Sequence, residues 1–337
     1  MKVLSDKEID RIAWSRLVET SATGNWFQTP GAFDLFVSMP DLFVPFVYGI
    51  ETDGLLRGVC GGYVTRENNA IKQYLTRRAI IIGGPSLADG ATNDEVVALM
   101  SAVLKELKSR AIYIETRNFN DYSKWRSAFE YAGFDYKPHL NFHIDTSSVE
   151  MVEANLGKSR KRDIKTSIRD GAFIIKQPSI EQLREYYSIL EKLYKTKVKT
   201  PLFPFSFFEA LWRNRDGRFL LIALHTDRGI EIVGGTVCVA QEGKCLYEWF
   251  VCGRDGEWKS IFPSCYATYT GIRYAAEHNM PRFDMMGAGT PDQAYGVRDF
   301  KAKFGGQEVE HGRFLCITKP LLYKIGTLGV KILKKIK

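Results

Sequence analysis

The 337-residue sequence predicts a mixed α/β protein built from two similar units. Both halves alternate strand-like and helix-like runs, and they do so in the same order. Each half contains a helix that follows a strand and a polar loop and then ends at glycine. The segment from Tyr122 to Gly133 spans eleven residues and the segment from Tyr295 to Gly305 spans ten. Because the chain is also longer than a usual domain, we expect a duplicated α/β unit with mixed sheets.

In the first half, helical periodicity covers about residues 6–20, and the proline-bounded segment FQTPGAFDLFVSMP follows it. Three strands are then predicted: FVPFVYGIE, LLRGVCGGYVT and RAIIIGG. A helix over NDEVVALMSAVLKELKSR has its expected N-cap at Asn93 and Asp94. Strand IYIET, helix YSKWRSAFEYA and strand LNFHID complete this half.

In the second half, helix-like segments fill about residues 151–214. The elements expected after them are strands RFLLIAL, IVGGTVCVA and CLYEWFVCG, helix SCYATYTGIRYAAEHN, strand RFDMM, helix YGVRDFKAKF and strand GRFLCIT. No low-complexity linker separates the halves, so the boundary is placed at DTSS. The predicted domains are 1–146 and 147–318, and 319–337 is expected to be a basic amphipathic helix.

The composition indicates which classes of partner the protein could bind and in which cellular compartment we expect it. A net charge of +8 suggests an anionic partner, such as nucleic acid, a phosphorylated small molecule or a membrane surface, although a simple excess of surface lysine explains it equally well. Six cysteines without a C-x-x-C pair favour buried free thiols in a reducing cytosol. The charged N-terminal segment is not typical of a signal peptide, and no apolar run is long enough to span a bilayer. We expect a cytoplasmic protein in which 319–337 either makes peripheral contact with the inner face of an anionic membrane or packs on its own domain.

The first candidate site lies in the segment FDMMGAGTPDQAYGVRDFKAKFGG. At 100° per residue, Val297, Phe300 and Phe304 share one helix face, and Lys301 lies at its border. Lys301 is therefore either a lysine whose stem covers the edge of the core or a cation that stabilises an oxyanion. Substrate-binding candidates around it are Asp284, Gly287, Gly289, Tyr295, Arg298 and Phe300.

The second candidate site is the basic segment GKSRKRDIKTSIRDG. On a helix, Lys158, Arg162, Lys165 and Arg169 fall within about 60° of one another, while Ile164 and Ile168 point elsewhere. We call these four cations the basic stripe. It is either a solvated helix face or a binding surface for phosphate groups.

Metal and hydrolase motifs are not found in the sequence. His139 and His143 would lie about 13 Å apart in a strand, which is too far for one metal ion. No G-x-S-x-G, H-E-x-x-H or P-loop pattern occurs. We therefore predict no metal site.

The order of FDMMGAG, YGVRDFKAKFGG and GRF resembles the C-terminal signature of the FemABX aminoacyltransferases. Its F-K-x-x-F-G-G core is present as Phe300, Lys301, Phe304, Gly305 and Gly306. KSRKRDIKTSIRDG is similar to the basic helix that opens the second domain of that family, and WFQTPGAFDLF is similar to its N-terminal F-x-Q-S-P segment.

The resemblance implies two tandem GNAT-like domains, the first structural or acceptor-binding and the second catalytic. It also implies acyl or aminoacyl transfer onto an amine of a phosphate-bearing envelope precursor of the peptidoglycan-bridge type, with Lys301 stabilising the oxyanion. No cofactor is firmly implied, because the acyl donor is either aminoacyl-tRNA or acyl-CoA. The expected partners are a phosphorylated or lipid-linked envelope precursor and charged tRNA. Two alternatives stay open: a CoA-dependent N-acyltransferase for a sugar or polysaccharide, and a non-catalytic module that binds RNA or anionic lipid.

Overall fold

The structure, a computed structural model, describes residues 1–67 and 69–327. Contacts between residues divide the chain into two units. The first unit consists of Met1–His139 together with Glu310–Lys337, and the second consists of Leu140–Val309. Each unit is built around one mixed sheet.

The sheet of the first unit has the strand order β1-β2-β3-β4-β6-β15-β7, and β5 pairs with β3. Its strands are β1 (Lys2–Ser5), β2 (Phe43–Thr52), β3 (Leu55–Thr65), β4 (Ala79–Gly83), β5 (Ser86–Leu87), β6 (Tyr113–Asn118), β7 (Asp135–Lys137) and β15 (Arg313–Ile317). β4 and β6 are parallel, and β15 lies antiparallel to β6. This sheet therefore brings the start of β4, the start of β6 and the end of β15 to the same edge.

The helices of the first unit are α1 (Arg11–Thr20), α2 (Pro30–Val37), α3 (Ala70–Thr76), α4 (Asn93–Leu107) and α5 (Arg126–Tyr131). α4 begins with a capping box in which the Thr92 side chain accepts from the backbone of Glu95 and the Glu95 side chain accepts from the backbone of Thr92. The N-cap is therefore Thr92, and the expected cap at Asn93 and Asp94 is wrong by one or two residues. α3 was not expected from the sequence.

The sheet of the second unit has the strand order β14-β8-β13-β12-β11-β10-β9. Its strands are β8 (Leu140–Asp145), β9 (Phe173–Ile175), β10 (Gly217–Thr226), β11 (Gly229–Gln241), β12 (Cys245–Gly253), β13 (Arg282–Asp284) and β14 (Gln307–Glu310). Its helices are α6 (Val149–Asn155), α7 (Lys158–Arg169), α8 (Ile180–Leu193), α9 (Phe205–Arg213), α10 (Pro263–Glu277) and α11 (Gly296–Ala302).

One part of the core of the second unit lies between its sheet and the helices α6, α7 and α10, and α8 and α9 bury a further set of apolar side chains. Close packing of α10 depends on Gly271, because a Cβ atom there would lie 2.9 Å from the ring of Phe283 on β13. Phe283 is fully buried, as is Ile272 beside the glycine. A small residue on the helix thus lets a large one on the strand fill the interface.

The observed units differ from the predicted domains 1–146 and 147–318 in the placement of two strands. β8, expected at the end of the first domain, pairs with β13 in the second sheet. β15, expected at the end of the second domain, pairs with β6 and β7 in the first sheet. Hydrophobic alternation identifies both segments as strands but does not specify their partners, which are distant in sequence.

The C-terminal helix expected over 319–337 is described only in part. Residues 320–327 are helical, and Leu321 and Ile325 are exposed on them. The remaining residues of that expected helix lie outside the described residues: Leu328, Lys331, Ile332, Lys334, Lys335, Ile336 and Lys337. In the part of the chain that the structure covers, no helix is both long and apolar enough to cross a bilayer.

Candidate active site

The sheet of the second unit opens between its two central parallel strands. Pairing of β12 with β13 covers Cys245–Tyr247 and Arg282–Asp284. β12 then continues to Gly253, whereas the chain leaves β13 in a loop. This loop, residues 285–290, has positive φ angles at Met286 (54°), Gly287 (101°) and Gly289 (80°). Four of its carbonyl groups accept hydrogen bonds from side chains of α11, and we call this segment the carbonyl loop.

Lys301 on α11 binds the carbonyl loop. Its ammonium donates one hydrogen bond to the Gly287 carbonyl at 2.7 Å and another to the Met285 carbonyl. Lys301 is 8% exposed, so it is buried and not a border lysine with its ammonium at the surface. Val297, expected on the core face, is 41% exposed. The expectation failed because α11 has only seven residues and its orientation is set by the loop.

The buried ammonium is close to acidic groups. Burial lowers the pKa of Lys301, and the negative charges of Glu248 and Asp284 oppose that shift. Glu248 on β12 is 4% exposed, and burial raises its pKa while the charge of Lys301 opposes the rise. The Thr236 hydroxyl donates to Glu248 at 3.4 Å. A lysine ammonium has three donors, and carbonyls take two of them in the described structure, which leaves one for a substrate atom.

Asp284 holds the carbonyl loop in place. Its Oδ1 accepts hydrogen bonds from the Asn141 amide at 2.8 Å and from the Met286 backbone at 2.7 Å. The Asn141 side-chain oxygen accepts from the Gly287 backbone at 2.8 Å. His143 Nε2 lies 3.1 Å from Asp284 Oδ2. Although burial opposes ionisation most strongly, the hydrogen bond and charge of His143 leave the pKa of Asp284 below its ordinary value.

The other candidates on α11 also contact the loop. Arg298 Nε donates to the Ala288 carbonyl at 3.1 Å, and its Nη2 donates to the Thr290 carbonyl. The Tyr295 ring covers Gly289, where a Cβ atom would lie 2.9 Å from it. The structure therefore brings Asp284, Gly287, Gly289, Tyr295 and Arg298 together with Lys301 around one loop.

Phe300 and the rest of the F-K-x-x-F-G-G segment attach α11 to α7. The guanidinium of Arg160 lies 4.4 Å from the ring centroid of Phe300 and 4.9 Å from that of Phe304. It also donates to the Phe300 carbonyl at 3.3 Å. Gly305 has φ of 80°, and a Cβ atom there would lie 2.0 Å from the Asn155 carbonyl oxygen. Two aromatic residues, a glycine turn and a buried arginine thus fix the helix that carries Lys301.

The basic stripe begins next to α11. The Gly157 backbone, at the start of α7, donates to the Lys303 carbonyl at 3.1 Å. All four stripe residues are exposed, as the helical spacing predicts. Arg162 pairs with Asp163 at 3.0 Å and Arg169 pairs with Asp170 at 2.7 Å. Ile164 is buried, but Ile168, expected away from the stripe, is 51% exposed.

Four residues that complete the site were not found from the sequence: Asn141, His143, Arg160 and Glu248. For Glu248 a signal was present, since it is the one charged residue in the strand CLYEWFVCG. Asn141 and His143 are two residues apart and lie on one face of β8, but the sequence does not show which strand pairs with β8. Around these residues, the described part of the chain contains no group of three His, Cys, Asp or Glu side chains placed to hold a metal ion.

Comparison with known proteins identifies the domain that carries this site. Residues 158–301, from the first residue of the basic stripe to Lys301, match the family model of an acetyltransferase (GNAT) domain. Most of the second unit is therefore similar to the acetyltransferase (GNAT) domain family. No curated protein matches the sequence of the chain. The expectation of an acyltransferase is confirmed at this level.

Solved structures confirm the duplicated GNAT fold. The crystal structure of FemX is 12% identical with a TM-score of 0.73, and the match covers 96% of this chain and 99% of FemX. A tandem GNAT protein from the clavulanic acid biosynthesis pathway is 9% identical with a TM-score of 0.54 and coverages of 94% and 98%. The C-terminal domain of a putative lysylphosphatidylglycerol synthetase from Agrobacterium fabrum is 12% identical with a TM-score of 0.57 and coverages of 96% and 95%. The expected resemblance to FemABX-like tandem GNAT acyltransferases is thereby confirmed in the fold.

Proposed function

We propose that the protein transfers an aminoacyl group from an ester donor, such as a charged tRNA, onto an amine of a phosphate-bearing cell-envelope precursor of the peptidoglycan type. The observation that supports this proposal most directly is the buried Lys301 ammonium. It is fixed by the Met285 and Gly287 carbonyls and has one donor left. Its position beside the opening between β12 and β13 gives a substrate ester a place next to a fixed positive charge.

In the proposed reaction the neutral amine of the acceptor attacks the ester carbonyl carbon. The carbonyl oxygen becomes an oxyanion, which accepts the remaining hydrogen bond of Lys301. When the tetrahedral intermediate collapses, the carbon–oxygen bond to the donor breaks, and the proton lost by the attacking nitrogen ends on the leaving hydroxyl group. A preorganised cation in a buried site stabilises this charge more strongly than water does. The reaction needs positioning of two substrates and no covalent enzyme intermediate.

The basic stripe supports a phosphate-bearing substrate. In the described structure Lys158 and Lys165 are exposed and form no ion pair, unlike Arg162 and Arg169, so they are available to an anion. The double variant Lys158→Gln/Lys165→Gln should raise KM about tenfold with little change in kcat, because phosphate contacts hold the substrate and do not touch the reacting carbon. Lys176→Gln, which removes an exposed lysine elsewhere in the same unit, serves as the control.

An acyl-CoA donor is the second candidate. The matched family model is that of an acetyltransferase domain, which favours acetyl-CoA as the donor. Lys301 would have the same role with either donor, since attack of an amine on a thioester also forms a tetrahedral oxyanion.

One experiment tests the proposal and separates the donors. The purified protein is incubated with envelope precursors and either a mixture of aminoacyl-tRNAs or acetyl-CoA, and the precursors are analysed by mass spectrometry. The proposal predicts a mass increase equal to one aminoacyl residue, which requires charged tRNA. Precursors from cells that contain or lack the gene should differ by the same mass. An acetyl increase with acetyl-CoA alone would support the second donor, and unchanged precursors in every arm would contradict both.

A further inference from the structure

Two short helices lie near the same end of the sheet of the first unit. α3 leads into β4, and the helix of residues 320–327 follows β15. Both are attached to Ile112, just before β6. The Ile112 backbone donates to the Arg77 carbonyl at 2.9 Å, and its carbonyl accepts from the backbones of Thr318 at 3.0 Å and Lys319 at 3.1 Å. The two helices are therefore neighbours in space although about 250 residues of sequence separate them.

α3 exposes a row of large apolar side chains. Ile71 is 72% exposed, Tyr74 is 53% exposed and Leu75 is 42% exposed. These positions are three and four residues apart, so they lie on one face of the helix. A face of this kind normally packs against a core, but here it is open to solvent in the described structure.

The helix of residues 320–327 repeats the pattern. Leu321 is 77% exposed and Ile325 is 61% exposed, and their spacing of four residues places them on one face. Tyr323 instead packs on Tyr113 of β6, with ring centroids 5.4 Å apart, and this contact holds the helix against the sheet. The apolar face thus points away from the only ring contact that the described part of this helix makes.

The surroundings of both faces are basic. Residues 69–78, 107–114 and 311–337 contain no aspartate or glutamate. Their cations include Arg77, Arg78, Lys108, Lys319 and Lys324, of which Lys108 and Lys324 are exposed. The acidic residues that border these segments do not lie on either helix, and Glu115 is paired with Arg117 and Arg313; these residues are Glu67, Glu106, Glu115 and Glu310. Exposed apolar side chains ringed by cations are typical of a helix that lies in the interface of an anionic bilayer.

We propose that α3 and residues 320–327 form one membrane-binding surface, which holds the first unit on a bilayer that contains anionic phospholipid. Ile71, Tyr74, Leu75, Leu321 and Ile325 enter the interface between headgroups and acyl chains, and the surrounding lysines and arginines contact the lipid phosphates. An apolar face bordered by cations is complementary to a bilayer with anionic headgroups, which favours a membrane as its partner. The surface lies wholly in the first unit and is independent of the reaction proposed for the second.

The test is flotation of the full-length protein with vesicles, in the absence of any donor or acceptor. One set of vesicles contains phosphatidylglycerol and phosphatidylcholine, and the other contains phosphatidylcholine alone. We expect binding to the first set that weakens as salt concentration rises. Ile71→Ser and Ile325→Ser should each reduce the binding constant about tenfold, since each removes one inserted side chain. Lys324→Gln should reduce it about fivefold, and only with phosphatidylglycerol present.

Ile12→Ser is the matched control. Ile12 is an isoleucine on α1 of the same unit and is 80% exposed, but it does not belong to the proposed membrane-binding surface. All four changes affect exposed side chains, so circular dichroism should show unchanged folding. Equal flotation of Ile71→Ser and the unaltered protein would overturn the proposal. So would a dimer in light scattering that Ile71→Ser abolishes, since the face would then belong to an interface between two copies.

Discussion

At Lys301 a cation occupies a place where water cannot solvate it. Two carbonyl groups replace part of that hydration, and Glu248 and Asp284 provide opposing charge. Burial of an ammonium costs stability unless such partners are present. These partners let the ammonium keep its charge in the interior, which suits the oxyanion-stabilising role that we propose for it.

The pH dependence of transfer should report this environment. Only the charged form of Lys301 stabilises an oxyanion, so the rate should fall as pH rises through its pKa, which burial places below the ordinary value. Glu248→Gln removes a charge that opposes this shift. The alkaline limb of the pH–rate profile should therefore move to lower pH.

Glu308→Gln, which changes an exposed glutamate on β14 of the same unit, is the control for the pH profile. Its alkaline limb should coincide with that of the unaltered protein. If the limb of Glu248→Gln also stays in place, Glu248 does not act on Lys301 and this description of the site is incorrect.

For single residues, the sequence predicted some of the candidate site residues but not their surroundings. Lys301 was selected from the F-K-x-x-F-G-G pattern, and its catalytic role stays a prediction. Its burial was not predicted, since periodicity treats α11 as a straight, isolated helix and says nothing of the carbonyl loop that Lys301 binds. Asn141 and His143 reach the site only through the pairing of β8 with β13, and strand partners are not encoded locally.

At the scale of elements, the turn after α11 determines where that helix lies. Gly305 combines a left-handed backbone with close approach to α6, whose Asn155 carbonyl would lie 2.0 Å from an added Cβ atom. Both features exclude other residues. Packing therefore explains Gly305 of the F-K-x-x-F-G-G segment, while for its lysine we propose a catalytic role.

Gly305→Ala should lower the free energy of unfolding by about 1–3 kcal/mol, because alanine is strained at this positive φ and its Cβ atom would force α6 to move. Gly296→Ala is the matched change at the other end of α11, where an added Cβ atom would meet nothing within 4 Å. It should raise the free energy of unfolding by up to about 1 kcal/mol, since alanine favours a helix. Urea denaturation of the two variants measures both effects, and equal stabilities would contradict the packing seen at Gly305.

At the scale of the whole molecule, the order of helices and strands was largely predicted from periodicity, and the duplication was recognised from the repeated order. The sheet to which β8 and β15 each belong was not predicted. Their sequence pattern identifies them as strands, but their partner strands are remote in sequence. α3 was missed since its apolar residues are exposed and its segment has no capping signal. The boundaries near residue 147 and residue 318 therefore differ from the observed units, which change at residues 140 and 310.

The strand membership predicts how fragments behave. A fragment of residues 140–309 contains β8, which lies between β14 and β13 in the second sheet. We expect it to unfold cooperatively on heating. A fragment of residues 147–309 lacks that strand, so β14 loses its neighbour and the edge of β13 is exposed. It should aggregate or unfold without cooperativity, and the same thermal transition in both fragments would contradict the assigned sheet order.

The most direct test of the proposed chemistry is the single-turnover rate of acyl transfer for Lys301→Met beside Lys303→Met. Lys303 is exposed two residues further along the chain, and its contact with Gly157 uses its backbone carbonyl, which the change leaves intact. Loss of the Lys301 charge should lower the rate by about 10²–10³, by analogy with the loss of one oxyanion donor, while Lys303→Met should retain the rate of the unaltered protein. Equal rates for the two variants would contradict the role of the buried ammonium.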